Sequence, residues 1–137
     1  MSRARAGAMA HEVGHHIQNL TGIEKRANNI ESDRPGLANA SVRVELQADC
    51  FAGVWANREN EMLRSEGRPL FIEPGDVEAA LRTAAAIGDD TLQKRARGYA
   101  VPDSFTHGTS EQRQRWFNAG FRSGSLSNCN TFAAVQL

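Results

Sequence analysis

Two pairs of side chains, each spaced four residues apart, constrain this sequence more than any other feature. The first lies in His11-Glu12-Val13-Gly14-His15. At 3.6 residues per turn, positions four apart lie one above the other on a helix, so both imidazoles reach one metal ion only if this stretch is helical. Glu12 then sits beside that ion. A catalytic site of this kind takes three protein ligands and leaves a fourth position for water. The extended pattern HExxHxxGxxH would supply the third ligand locally, but Gln18 stands where its glycine belongs and Thr21 where its last histidine would be. That arrangement is excluded.

The second pair is Glu45 and Asp49, in Glu45-Leu46-Gln47-Ala48-Asp49. Helical spacing again puts both on one face, and small Ala48 would let this helix approach the first. Glu45 is then the candidate third ligand, and Asp49 the acceptor for the free ring N–H of a metal-bound histidine, which fixes the tautomer. The two roles could be exchanged. Two carboxylates at this spacing can also mark a solvated face, but Leu46, Cys50 and Phe51 beside them argue against exposure.

Composition agrees with a helical reading. The 137 residues include 20 Ala and 14 Arg, against only 12 Val and Ile together, so helix formers outweigh strand formers. This length suits one small domain. Sixteen basic residues balance sixteen acidic ones, which argues against a general nucleic-acid binder or a polybasic membrane binder. No apolar run approaches the roughly 20 residues needed to span a bilayer. Ala8-Met9-Ala10 superficially resembles a leader cleavage site, but no apolar segment precedes it.

The expected fold is mainly α, a compact helical core with two metal-bearing helices and little or no sheet. The first helix runs from about Arg3 to Leu20, ended by Thr21-Gly22, and a break falls at Ser32 to Gly36. A long helix runs from Ser41 to about Glu66, stopped by Gly67. After a proline-bounded connector, Asp76 caps a helix from Val77 to Ile87, and Asp89 or Asp90 caps a short one to about Arg97. A loop, Gly98 to Gly108, leads to Thr109-Ser110-Glu111-Gln112, a capping box opening a helix that ends near Gly124. Trp116, Phe117 and Phe121 on that helix are expected to pack into the core.

Taken in order, HEVGHHIQNL, VELQADCFAG, Pro74-Gly75-Asp76-Val77-Glu78, Ile87-Gly88-Asp89-Asp90, PDSFTHGTSEQRQRWFNAGF and the final CNTF resemble the bacterial neutral zinc metallopeptidase family across nearly the whole chain. The ExxAD element is also similar to that of the wider gluzincin peptidases. The resemblance implies one Zn²⁺ per chain held by His11, His15 and Glu45, with Glu12 as catalytic base, Asp49 as the outer partner and a peptide or protein as substrate. Activity would be hydrolysis by a zinc-activated water. It also favours a Cys50–Cys129 disulfide over two free thiols, and a membrane-anchored or extracytoplasmic setting, although this chain shows neither leader nor span.

Two further histidines have candidate roles. His107, in the loop before the capped helix, either donates a hydrogen bond to the oxyanion formed on the substrate carbonyl, or packs on that helix or bonds a backbone carbonyl. His16 points about 100° away from His15 and is read as a surface or interhelix contact. One departure from the family pattern stands out. Relatives carry a substantial region, including a strand, before the metal helix, whereas ten residues precede His11 here. The chain is therefore expected to be a single domain, 1–137, lacking the family's N-terminal region. Leu70-Phe71-Ile72 is a short candidate for the strand that would pair with an extended peptide. The rival expectation is a non-catalytic zinc-binding or structural domain.

Overall fold

The computed structural model describes residues 3–23, 40–69, 76, 79, 82, 89–99, 108–134 and 137. Four α-helices account for most of them: α1 (Arg3–Leu20), α2 (Ala40–Ser65), α3 (Asp89–Arg97) and α4 (Ser110–Ser123), followed by a short 3₁₀ helix at Leu126–Cys129. No strand occurs among the described residues. Asp76, Ala79 and Arg82 are helical. The rest of the helix expected at 77–87, the break at 32–36 and the candidate strand at 70–72 lie outside the described residues.

The long helix α2 is the centre of the structure, with α1 on one side and α4 on another. Three small apolar clusters line it. Cys50, Phe51, Val54 and Cys129 form one, with Ile17, Ile23 and Trp116 against it. Ala10, Ala52 and Phe117 form a second, flanked by Trp55 and Phe121. Val42 and Leu46 form the third, again with Trp116. The aromatic side chains of α4 divide between clusters: Trp116 packs against two of them, while Phe117 and Phe121 share the other, their ring centroids 6.3 Å apart.

Glycine sets how closely the helices approach. A Cβ at Gly14 would run into the Ala48 backbone, and one at Gly120 into the Cys50 carbonyl, so each crossing tolerates no side chain at that point. Among the α1 positions whose burial is described, the buried ones are Ala10, Gly14 and Gln18, four residues apart as a helix face demands. None of these is a large apolar residue, which brings the backbones together.

The start of α4 is built as its sequence indicates. Thr109 accepts from the Gln112 backbone N–H and Gln112 accepts in turn from the Thr109 N–H, completing the capping box. Downstream, the chain folds back onto α2 at Arg43, Gln47 and Cys50, positions that share a helix face. Arg43 donates to the carbonyls of Thr131 and Ala134, Thr131 Oγ1 donates to the Arg43 carbonyl, and Gln47 donates to the Cys129 carbonyl. The Cys50–Cys129 disulfide closes this seam with a Cα–Cα distance of 5.5 Å. Because that bond closes a loop of 79 residues, replacing both cysteines by alanine should lower the unfolding free energy by about 4 kcal/mol in urea titrations. A change under about 1 kcal/mol would show that the seam holds without it.

Candidate metal centre

Helices α1 and α2 cross where Gly14 meets Ala48. Gly14 lies between His11 and His15, and Ala48 between Glu45 and Asp49, so the crossing brings the two sequence pairs face to face. The Nε2 atoms of His11 and His15 are 3.0 Å apart. Glu45 Oε2 is 3.0 Å from His11 Nε2 and 3.3 Å from His15 Nε2. One ligand atom from each of these three residues lies within 4.8 Å of the others, a group that could hold a metal ion.

The outer ring nitrogens are occupied. His11 Nδ1–H donates to Asp49 Oδ1 at 2.7 Å, and His15 Nδ1–H donates to Gln18 Oε1 at 2.9 Å. With a proton on each Nδ1, the neutral rings present their Nε2 lone pairs inward, toward each other and toward a carboxylate. Three lone-pair donors converging on one point repel unless a cation lies between them. The set fits zinc in chemistry and in size, since two nitrogens at about 2.0–2.1 Å from a tetrahedral ion stand about 3.3 Å apart.

The proton affinities report the same crowding. Burial disfavours the His11 imidazolium, but hydrogen bonds to Asp49 and Glu45, and their charge, outweigh it and raise its pKa to about 9. His15 is raised by its hydrogen bond to Glu45, against burial and the nearby charge of His11. Burial alone would push the Glu45 carboxyl up; hydrogen bonds from the two histidines, and their charge, instead hold it well below the usual carboxylate range.

Asp49 is engaged from the far side by a residue the sequence reading did not single out. Arg113 of α4 donates through Nε to Asp49 Oδ2 at 2.8 Å and through its terminal nitrogen to Oδ1 at 3.1 Å, a bidentate pair buried on both sides. Both Asp49 oxygens are thus committed to His11 and Arg113. Gln18 was also missed as a partner, having been noted only as a departure from a longer motif. Arg113 could have been suspected from its place on the buried face of α4, one turn before Phe117, where an arginine needs an anion.

The other candidates fall elsewhere. Glu12 is exposed on α1, next to His11. His16 is exposed. His107 lies outside the described residues. Among the described residues, no helix is long and apolar enough to cross a membrane.

The comparisons with known proteins bear on this geometry. The family described as "Putative neutral zinc metallopeptidase" matches residues 2–132. The chain belongs to that family. Its relatives include the uncharacterized protein YpfJ of Escherichia coli (strain K12), 50% identical over 131 residues. The uncharacterized proteins Mb2605 of Mycobacterium bovis and Rv2575 of Mycobacterium tuberculosis are each 42% identical over 132 residues. These alignments cover 94% of the chain but 43–44% of each relative, so the chain spans less than half the length of these family members. No solved structure matches it.

The charge pattern sets a pH dependence for the metal-free protein prepared with a chelator. The raised His11 value means its contribution to stability is complete below pH 6.5 and lost as pH rises through about 9. The lowered Glu45 value means its contribution is complete above pH 4.5 and lost only in stronger acid. The melting temperature should therefore be highest between about pH 4.5 and 6.5 and decline toward pH 9, and Glu45→Gln should flatten the decline. A wild-type profile level from pH 6.5 to 9 would contradict this assignment.

Proposed function

We propose that this member of the neutral zinc metallopeptidase family hydrolyses peptide bonds at a zinc ion held by His11, His15 and Glu45. The observation that carries the reading is the convergence of those three ligand atoms, with Glu12 next in sequence to His11 on the same helix. Zinc bound there would act as a Lewis acid, lowering the pKa of its water to about 7 and polarising the scissile carbonyl.

The remaining steps belong to the protein. Glu12 takes the proton from the attacking water on its carboxylate and delivers it to the leaving amine nitrogen. Asp49, as the hydrogen-bond acceptor for His11 Nδ1–H, keeps that ring in the tautomer whose Nε2 is free to bind a metal beside Glu45. Arg113 offsets the Asp49 charge, so two neutral imidazoles and one carboxylate would leave a bound zinc with a net positive charge and its electrophilicity. Engagement of both Asp49 oxygens supports Glu45, rather than Asp49, as the carboxylate ligand. His107 is proposed from the sequence alone as a donor to the oxyanion. Residues 1–137 are read as one domain carrying the metal centre, with peptide recognition in the longer relatives drawing on the rest of their length.

Zinc analysis with a casein cleavage assay tests the reading. The chain should bind about one zinc, and Glu12→Gln should retain it while cleavage falls at least about 100-fold. Glu45→Ala should lose the metal, whereas Asp49→Ala should weaken binding about 10- to 100-fold. Zinc without cleavage in the unmutated chain would favour a non-catalytic zinc-binding domain, and a chain that takes up no zinc would sink both readings.

A further inference from the structure

We propose that Gln18 is a positioning residue for His15, and that Gln18 and Gln47 form a directed pair of carboxamides dictating which nitrogen of that ring faces the metal. The inference rests on the zinc reading above and extends it to residues outside the ligand set.

The direction of the pair follows from its two ends. Gln18 lies 2.7 Å from the carbonyl of Val44, which can only accept, so the atom facing it must be the amide nitrogen. The Gln18 oxygen is then the atom that meets His15 Nδ1 at 2.9 Å, and Nδ1 must carry the hydrogen. The other Gln18 amide hydrogen goes to Gln47 Oε1 at 3.1 Å. Gln47 in turn donates from its nitrogen to the carbonyl of Cys129 at 3.0 Å, a second acceptor that cannot donate. Both amides are buried, Gln18 fully so. Turning either one over would set buried oxygen against oxygen. One orientation survives, and it leaves His15 Nε2 as the inward lone pair.

The two histidines are held differently as a result. His11 leans on a carboxylate whose charge Arg113 offsets, while His15 leans on a neutral amide three residues along its own helix. A carboxamide fixes the tautomer without adding negative charge to the centre. Glutamate at position 18 would accept from His15 but could not donate to Val44 or Gln47. The far end of the pair rests on the carbonyl of Cys129, which the disulfide ties to α2, so the ring orientation is referred to a segment held covalently against that helix.

The test uses the full chain with Gln18→Met, which keeps the volume and removes the hydrogen bonds, and Gln47→Met, one step further from the ring. Zinc affinity is read by competition with a chromogenic chelator, and the His15 ring nitrogens by ¹⁵N NMR. Gln18→Met should weaken zinc by about 10-fold or more and lose the slowly exchanging Nδ1 proton of His15 while that of His11 persists. Gln47→Met should show a smaller loss of the same kind. A purely structural role predicts lower thermal stability with zinc affinity and the His15 proton unchanged, and that result in whichever variant folds overturns the proposal. If the wild-type chain binds no zinc, the ligand reading fails by itself. The amide pair is then judged on the neutral His15 ring of the metal-free protein: a proton on Nδ1 upholds it, and a proton on Nε2 overturns it.

Discussion

The contact between Gly14 and the backbone of Ala48 governs the rest of the structure. It falls inside both sequence pairs, so the distance it permits between α1 and α2 sets the distance between the imidazoles of one helix and the carboxylates of the other. A methyl group at position 14 could not be accommodated without moving the helices apart. Among the α1 positions whose burial is described, the buried ones are Ala10, Gly14 and Gln18, with Ile17 packed against the Cys50 cluster. The polar contacts of the centre add to these apolar ones in docking α1 on α2. A metal ion joining His11 and His15 to Glu45 would fasten α1 to α2, coupling metal binding to the stability of this crossing.

Burying that much charge demands partners, and the fold supplies them from three elements. Asp49 would be costly in the interior without a cation, and Arg113 reaches it from α4 with two hydrogen bonds. Removing one member of such a pair strands the other, which typically costs about 3–5 kcal/mol. The polar demands thus tie α4 to α2 alongside the apolar contacts of Phe117. The disulfide and the Arg43 contacts hold the C-terminal segment against α2 in the same way, so that α2 is fixed along much of its length before any ligand arrives.

Much of this was legible in the sequence because it depends on local spacing. The helices α1 and α2, the stop at Gly67, the short helix ending at Arg97 and the capping box at Thr109 follow from periodicity and terminal chemistry, which act within a turn or two. The face-to-face placement of His11, His15, Glu45 and Asp49 was legible because each pair is local and only one docking was required. What escaped the reading was long-range. The pairing of Arg113 with Asp49 spans 64 residues, and that of Gln18 with Val44 and Gln47 spans 26 and 29; no local rule links them. The different destinations of Trp116 and Phe117 also depend on which clusters surround α4, not on their own spacing.

Membership of the neutral zinc metallopeptidase family and the geometry of the crossing converge on one claim: α1 and α2 present two imidazoles and one carboxylate to a single zinc ion. Zinc K-edge X-ray absorption on the loaded chain addresses it most directly. The account predicts a first shell of nitrogen and oxygen alone at about 2.0–2.1 Å, with the outer scattering of two imidazole rings. A sulfur shell at about 2.3 Å, or scattering from fewer than two rings, would contradict it.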